Sequence, residues 1–161
     1  MLALAFLVGC GGGGDDAAAG ASVQESAGNA TEFGAFYGEC GSIDTAAVVQ
    51  VTGYSGLELV ANNGIKCRWE TPTGSPYVMF TWFRGSPFER EREVAIRSGK
   101  IVEDIEIDGH RAFTSAADGI CQVGIADGAD FIHWLVRTDT TGVAAASCDT
   151  AKGLAAKSVG G

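Results

Sequence analysis

Five cysteines constrain the fold of this 161-residue chain more than any other feature of its sequence. The first, Cys10, follows Gly9 and an uncharged apolar run over residues 1–8, which is the pattern of a bacterial lipobox. The thiol of such a motif receives a diacylglyceryl group, so we expect export and lipidation at Cys10. The apolar run is too short to span a bilayer, which takes ~20 residues. The remaining even set predicts two disulfides in an oxidising compartment: Cys40, Cys67, Cys121 and Cys148.

The composition changes twice along the chain, which predicts three regions. Residues 1–10 form a lipoprotein signal segment that ends at the lipobox cysteine. Residues 11–32 are rich in Gly, Ala and Asp, and we expect a flexible tether with a mean span of ~25 Å. Residues 33–161 suffice for one hydrophobic core, so we expect a single domain. The predicted location is the extracytoplasmic face of the cell membrane, with attachment through the lipid anchor.

Periodicity and turn residues predict the elements in the first half of the domain. Ser42 as N-cap and Gly53 just past the last turn predict a short helix. Residues 64–70 alternate between apolar and polar, as a half-buried strand does. Residues 77–83 are rich in aromatic side chains and predict a second strand.

Two further helices have recognisable starts. Ser86 as a cap, with Pro87 at the first helical position, predicts a middle helix that ends before Gly99. The C-terminal segment from Ser147 to Lys157 predicts a last helix with Ser147 as its N-cap.

Asp-Gly dipeptides between alternating apolar runs predict two β-hairpins. Asp108-Gly109 separates residues 101–107 from 110–114, and Asp127-Gly128 separates 120–126 from 129–137. The whole pattern predicts an α+β fold: an antiparallel sheet of about six strands, with N-terminal, middle and C-terminal helices and two disulfides.

Charge and residue counts exclude several classes of function. The net charge is −9, from 11 basic and 20 acidic residues without a basic cluster, so nucleic acid is not an expected partner. His110 and His133 are the only histidines, so the sequence offers few candidate ligands for a zinc site and few candidate bases for a Ser-His-acid triad. We therefore predict no catalytic residues, no metal site and no cofactor.

Trp82 and Phe83 are the candidates for a ligand surface. Most aromatic side chains of this chain are expected in the core. Trp82 and Phe83 are neighbours in a predicted strand, however, and an extended strand points successive side chains to opposite faces. One of the two would then pack in the core, while the other would face a ligand.

Short segments around the cysteines resemble a family, namely the actinobacterial four-cysteine lipoproteins of unknown function. The segments that carry the resemblance are Cys40-Gly41-Ser42-Ile43, Cys67-Arg68-Trp69, residues 107–112, residues 121–128 and Cys148. The resemblance implies an actinobacterial cell envelope and no particular reaction. The layout of this family is also similar to the extracellular sensor domain of mycobacterial membrane kinases.

Four cysteines allow three disulfide pairings. We favour Cys40 with Cys67 and Cys121 with Cys148, because the two spans are equal and each bond would join a helix start to a strand. A structural role is favoured over a redox role, since the chain contains no Cys-x-x-Cys motif.

Two functional hypotheses follow. The first is a non-enzymatic binding module for a protein partner in the cell envelope, because the sequence offers an anchor, a tether and a cross-linked domain but no catalytic set. The alternative is a carrier or sensor of a small apolar envelope ligand, suggested by the aromatic strand. This alternative requires a cavity large enough for a ligand.

Overall fold

A computed structural model describes residues 34–35, 37–139 and 144–160, of which residues 144–146 are described by their backbone alone. Cys10 and the tether lie outside these residues, and the boundaries of signal segment, tether and domain stay predictions. The helices are α1 (Thr45–Thr52), α2 (Phe88–Arg97) and α3 (Ala144–Val159), and a 3₁₀ turn covers Glu39–Ser42. The strands are β1 (Glu58–Asn62), β2 (Lys66–Glu70), β3 (Tyr77–Phe83), β4 (Ile101–Ile107), β5 (His110–Ala117), β6 (Ile120–Asp127) and β7 (Asp130–Arg137).

All seven strands form one antiparallel sheet in the order β1-β2-β3-β7-β6-β5-β4. This confirms the predicted α+β fold, with seven strands instead of about six. The strand missing from the prediction is β1, whose residues are all exposed. Without a buried face, β1 has no alternation of apolar and polar side chains that would reveal it.

Asp-Gly dipeptides form the two-residue turns between β4 and β5 and between β5 and β6. Asp108 and Gly109 have φ of 48° and 80°, the left-handed geometry that a two-residue type I′ turn requires. Asp118 and Gly119 repeat this geometry with φ of 49° and 73°, so the second dipeptide also closes a hairpin, between β5 and β6. Both predicted hairpins are present, but the second turn lies one residue later than predicted. Asp127 is the last residue of β6 and pairs with Asp130, so Gly128 and Ala129 form the loop.

Helices cover both faces of the sheet. The face under α1 and α3 holds the main core, and we call it the tryptophan face because Trp69, Trp82 and Trp134 are buried there. The opposite face, here the α2 face, carries a smaller cluster made of Phe88, Ala95, Phe113 and Phe131. None of the helices among the described residues is both long and apolar enough to cross a membrane.

Both disulfides close on the tryptophan face. Cys40 bonds Cys67 and Cys121 bonds Cys148, which are the pairs favoured from sequence. The first bond ties the 3₁₀ turn to β2, and the second ties α3 to β6. Each closes a loop with a sequence separation of 27, which stabilises the fold by about 3.5 kcal/mol in the chain-entropy account.

The helix starts differ from those predicted. Asp44, and not Ser42, caps α1, because its carboxylate accepts a hydrogen bond from the Ala47 amide at 2.7 Å. The Ser42 hydroxyl instead donates to the Tyr37 carbonyl at 2.8 Å. Ser147, predicted as the N-cap of the last helix, lies within α3, because the three preceding alanines continue the helix towards the N-terminus. Its side chain is fully buried.

The start of α2 is shifted by one residue. Pro87 stands at the N-cap position instead of the first helical position, and no side chain caps the helix. Ser86, predicted as the cap, accepts a hydrogen bond from the Arg90 guanidinium at 2.7 Å. The end of α2 before Gly99 is as predicted.

Candidate functional site

Trp82 and Phe83 point to opposite faces of β3. Trp82 is 3% exposed and belongs to the core of the tryptophan face. Phe83 is half-buried on the α2 face, where it packs against the aromatic cluster. Of the two candidate ligand-surface residues, the structure thus puts Phe83 beside a cavity and Trp82 in the interior.

This cavity lies between α2 and the sheet and measures about 140 Å³. We call it the α2 pocket. Its apolar wall combines side chains from α2 with aromatic rings from three strands, namely Phe83, Val94, Ala95, Phe113 and Phe131. Its polar wall consists of Glu91, Lys100, Gln122 and His133.

Stacked rings and one glycine shape the floor of the α2 pocket. The rings of Phe83 and Phe131 stack with centroids 4.5 Å apart and an interplanar angle of 12°. Gly124 lies between Phe113 and His133 in the strand register. A Cβ atom on Gly124 would lie 2.7 Å from Cε1 of Phe113, so only glycine lets this ring lean across β6.

Lys100 brings a positive charge to the pocket wall. Its Nζ donates to Oε1 of Gln122 at 2.6 Å, and the same oxygen accepts from the Ser115 hydroxyl at 3.0 Å. None of the ion pairs within residues 34–35, 37–139 and 144–160 involves Lys100. The ammonium group therefore reaches the cavity with a neutral amide, and no carboxylate, as its partner.

His133 is the one histidine in the pocket wall, and it is neutral at pH 7. Burial of the ring lowers the pKa of His133 to about 4, and the nearby charge of Lys100 acts in the same direction. A neutral imidazole can both donate and accept a hydrogen bond. Within the described part of the chain, no group of three or more His, Cys, Asp or Glu side chains is placed to hold a metal ion.

The β1–β2 hairpin forms a second candidate surface at one edge of the sheet. It carries three of the six large hydrophobic side chains that are exposed among the described residues, namely Leu59 at 40%, Val60 at 50% and Ile65 at 48%. The strand register shifts between Leu59 and Ala61, which is a β-bulge at Val60. The opposite edge, β4, has one such residue, Ile101, together with the carboxylates of Glu103, Asp104 and Glu106.

The described chain enters the domain beside the β6–β7 turn. The amide of Ala35 donates to Oδ2 of Asp127 at 2.5 Å. Burial, together with the nearby carboxylate of Asp127, raises the pKa of Tyr37 above its usual range. Asp130, also at this turn, is 1% exposed and accepts from the Gly85 amide at 2.8 Å.

Trp82 and Phe83 were both predicted as ligand-surface candidates, whereas Lys100, Gln122 and Gly124 were not predicted as parts of a site. A signal for two of these residues existed. Alternation along the predicted strand over residues 120–126 puts Gln122 and Gly124 on one face. The predicted turn at Asp127-Gly128 would set Gly124 opposite Phe131, whereas the structure pairs Gly124 with His133. No pattern of neighbouring residues in the sequence predicts that α2 and Lys100 lie close to Gln122.

The fold and its cross-links define the class of this protein: a small α+β domain closed by two disulfides. The family described as "Protein of unknown function (DUF3558)" matches residues 5–160, and the chain belongs to this family. This confirms the resemblance to an actinobacterial lipoprotein family of unknown function.

Mycobacterial relatives align with most of the chain. The "Putative lipoprotein LprB" of Mycobacterium tuberculosis (strain ATCC 25618 / H37Rv) is 36% identical over 162 residues, covering 95% of this chain and 86% of the relative. The protein of the same name from Mycobacterium leprae (strain TN) is 34% identical over 145 residues, covering 84% of this chain and 77% of the relative. No solved structure matches the chain significantly.

Proposed function

We propose that this chain is a lipoprotein, anchored through Cys10 at the extracytoplasmic face of the cell membrane, whose domain binds a protein of the cell envelope and catalyses no reaction. The lipobox pattern and the names of the mycobacterial relatives support the anchor. A flexible tether over residues 11–32, which the composition predicts, would let the domain reach a partner near the membrane surface.

The open edge at β1 is the observation that carries the partner-binding proposal. An edge strand offers unpaired backbone N–H and C=O groups, to which an extended segment of another protein can add as a further strand. Leu59 and Val60 lie exposed on this edge, and Ile65 follows at the end of the hairpin. A partner segment with alternating apolar side chains would cover these residues.

Site-specific photo-crosslinking in living cells tests this proposal. A photoreactive amino acid is placed at Val60 on the β1 edge, and a matched one at Ile101 on the β4 edge, which is 72% exposed. We expect one reproducible protein adduct at Val60 and its absence at Ile101. Leu59→Glu should abolish the adduct while the circular dichroism spectrum stays unchanged. Equal adducts at both edges, or persistence in Leu59→Glu, would refute the proposal.

A second candidate function, as a carrier or sensor of a small ligand, is favoured by the α2 pocket. The pocket, at about 140 Å³, is close to the ~150 Å³ apolar cavity that accommodates benzene. A ligand the size of one ring would therefore fit against Phe83. Incubation with an extract of the cell envelope, followed by native mass spectrometry, should show an added mass of metabolite size. A mass without any addition would argue against this function.

A further inference from the structure

We infer that the α2 pocket binds a small carboxylate built on a single ring, with the ring against Phe83 and Phe131 and the carboxylate at Lys100. This inference rests on the ligand-binding candidate function and adds the chemical class of the ligand. It depends on three features of the pocket: an ammonium group that pairs with no carboxylate of the described residues, a flat aromatic floor and a small volume.

The charge of Lys100 indicates an anionic ligand. Lys100 is half-buried, and Oε1 of Gln122 is the acceptor of its one hydrogen bond to a side chain. Removing an ammonium group from water costs free energy that a neutral amide offsets only in part. Glu91 also lines the pocket, but its carboxylate pairs with Arg90 at 3.1 Å. A ligand carboxylate beside Lys100 would supply the missing charge-assisted hydrogen bond.

The floor of the pocket indicates a flat apolar group. The parallel planes of Phe83 and Phe131 form one side, and the ring of Phe113 leans over Gly124 to form another. Aromatic rings favour offset stacking or edge-to-face packing against such surfaces. At about 140 Å³ the pocket has the size of a cavity that holds one ring.

The polar groups beside Lys100 suit a single negative charge. His133 is neutral, because burial lowers its pKa to about 4, so it adds no second positive charge that would favour a dianion. Its imidazole can still donate one hydrogen bond to a carboxylate oxygen. The amide nitrogen of Gln122 takes no part in the hydrogen bonds from Lys100 and Ser115, which both end on Oε1.

Benzoate and benzamide are the probes that test this inference, because they share the ring and differ in charge. The full chain carrying Cys10→Ser, which cannot be acylated, is titrated at pH 7 while the NMR signals of the His133 imidazole and the Phe83 ring are followed. We expect saturable shifts at both residues with benzoate, and an affinity at least tenfold higher for benzoate than for benzamide.

Two lysine variants separate a local charge effect from a general one. Lys100→Met keeps the apolar stem and removes the ammonium, so benzoate should then bind no better than benzamide. Lys66→Met removes an exposed lysine at the start of β2, outside the pocket, and should leave both affinities unchanged. Unshifted amide spectra away from the pocket show that each variant is folded.

The outcomes distinguish failure of the carboxylate assignment from failure of the ligand-binding function on which it rests. If benzamide binds as tightly as benzoate, the pocket takes rings but the carboxylate assignment is wrong. If neither probe gives saturable shifts, both the assignment and the ligand-binding function are wrong. If Lys100→Met retains the preference for benzoate, the anion lies elsewhere and the inference fails.

Discussion

The tryptophan face and the α2 face of the same sheet are filled in different ways. On the tryptophan face, Trp69 and Trp134 stack with centroids 5.9 Å apart, and Phe80 packs on Trp134 at 5.1 Å. The indole nitrogen of Trp134 donates to Ser158 of α3 at 2.9 Å. Both disulfides also lie here, so this face combines dense packing with covalent cross-links.

The α2 face has a smaller core and is bordered by charge. Arg92 of α2 makes two hydrogen bonds of 2.6 Å to Asp104 of β4, and Glu89 pairs with Arg111 of β5. The α2 pocket is lined by other residues of the same helix, namely Glu91, Val94 and Ala95. We therefore expect the tryptophan face to contribute most of the stability and the α2 face to tolerate changes in packing around its cavity at a lower cost.

Removing a ring from each face should give the largest contrast. Trp134→Ala creates a cavity in a closed core and should lower the free energy of unfolding by about 4 kcal/mol. Phe83→Ala removes a half-buried ring beside an existing cavity and should cost about 1–2 kcal/mol. Urea unfolding of the full chain carrying Cys10→Ser measures both losses.

If Trp134→Ala does not fold, a less severe substitution at Trp134 still allows its stability loss to be compared with that of Phe83→Ala. Trp134→Phe keeps an aromatic ring but loses the hydrogen bond to Ser158, and should cost about 1–3 kcal/mol. Equal losses from Trp134→Ala and Phe83→Ala would mean that the two faces do not differ as described.

Breaking either disulfide should weaken the tryptophan face by similar amounts. The double variant Cys40→Ala/Cys67→Ala and the double variant Cys121→Ala/Cys148→Ala should each lose about 3.5 kcal/mol, since the two loops have equal length. Urea unfolding compares both with the parent chain. A loss below about 1 kcal/mol for one pair would show that packing alone holds that cross-link's segments together.

Protonation of His133 should weaken the α2 face in acid. The folded state keeps the pKa of His133 at about 4, against 6.5 for an unperturbed histidine. Between these values the unfolded chain binds a proton that the folded chain does not, so stability falls as the pH drops from about 6.5 to about 4. The shift sets an upper limit of about 3 kcal/mol, and partial exposure of the ring should reduce this to about half.

The variant His133→Gln isolates this contribution from the titration of carboxylates. Urea midpoints of the parent chain and the variant are measured at pH 7 and pH 4. The parent should lose more stability than the variant over this interval. An identical loss in both chains would show that His133 does not carry the predicted pH dependence.

The exposed ion pair between α2 and β4 should have the smallest effect. Arg92 and Asp104 lie at the surface, where water and salt screen their attraction, although their hydrogen bonds favour the charged forms and lower the pKa of Asp104. Arg92→Met and Asp104→Asn, alone and together, should leave the urea midpoint unchanged at about 0.15 M salt. A loss as large as that of Phe83→Ala would mean that ion pairs, and not apolar packing, hold α2 in place.

Local signals predicted a large part of the fold. The strand over residues 77–83 has the predicted bounds, and the Asp108-Gly109 turn sets the predicted register of its hairpin. These features depend on contacts between residues that are close in sequence. β1 was missed because an edge strand with both faces exposed shows no periodicity. The start of α3 was misplaced because the three alanines before Ser147 extend the helix towards its N-terminus.

The candidate site was less accessible to sequence analysis than the fold. Trp82 and Phe83 were predicted together, because alternation along β3 puts them on opposite faces, and only the structure shows that Phe83 is the one beside the pocket. Lys100 follows α2 and meets Gln122 only because the helix folds back over strands distant in sequence. The periodicity of the sequence does not predict that α2 packs against these strands.

Residue identity and short-range geometry were enough to predict the number of disulfides, the hairpins near Asp-Gly dipeptides and the family to which the chain belongs. The tertiary structure alone decided that α2 covers the face opposite α1 and α3, leaving a pocket under α2 and an open edge at β1. The free energy of burial is a sum over residues that lie far apart in the chain. A helix takes the face where that sum is most favourable, and its own residues do not specify which face this is.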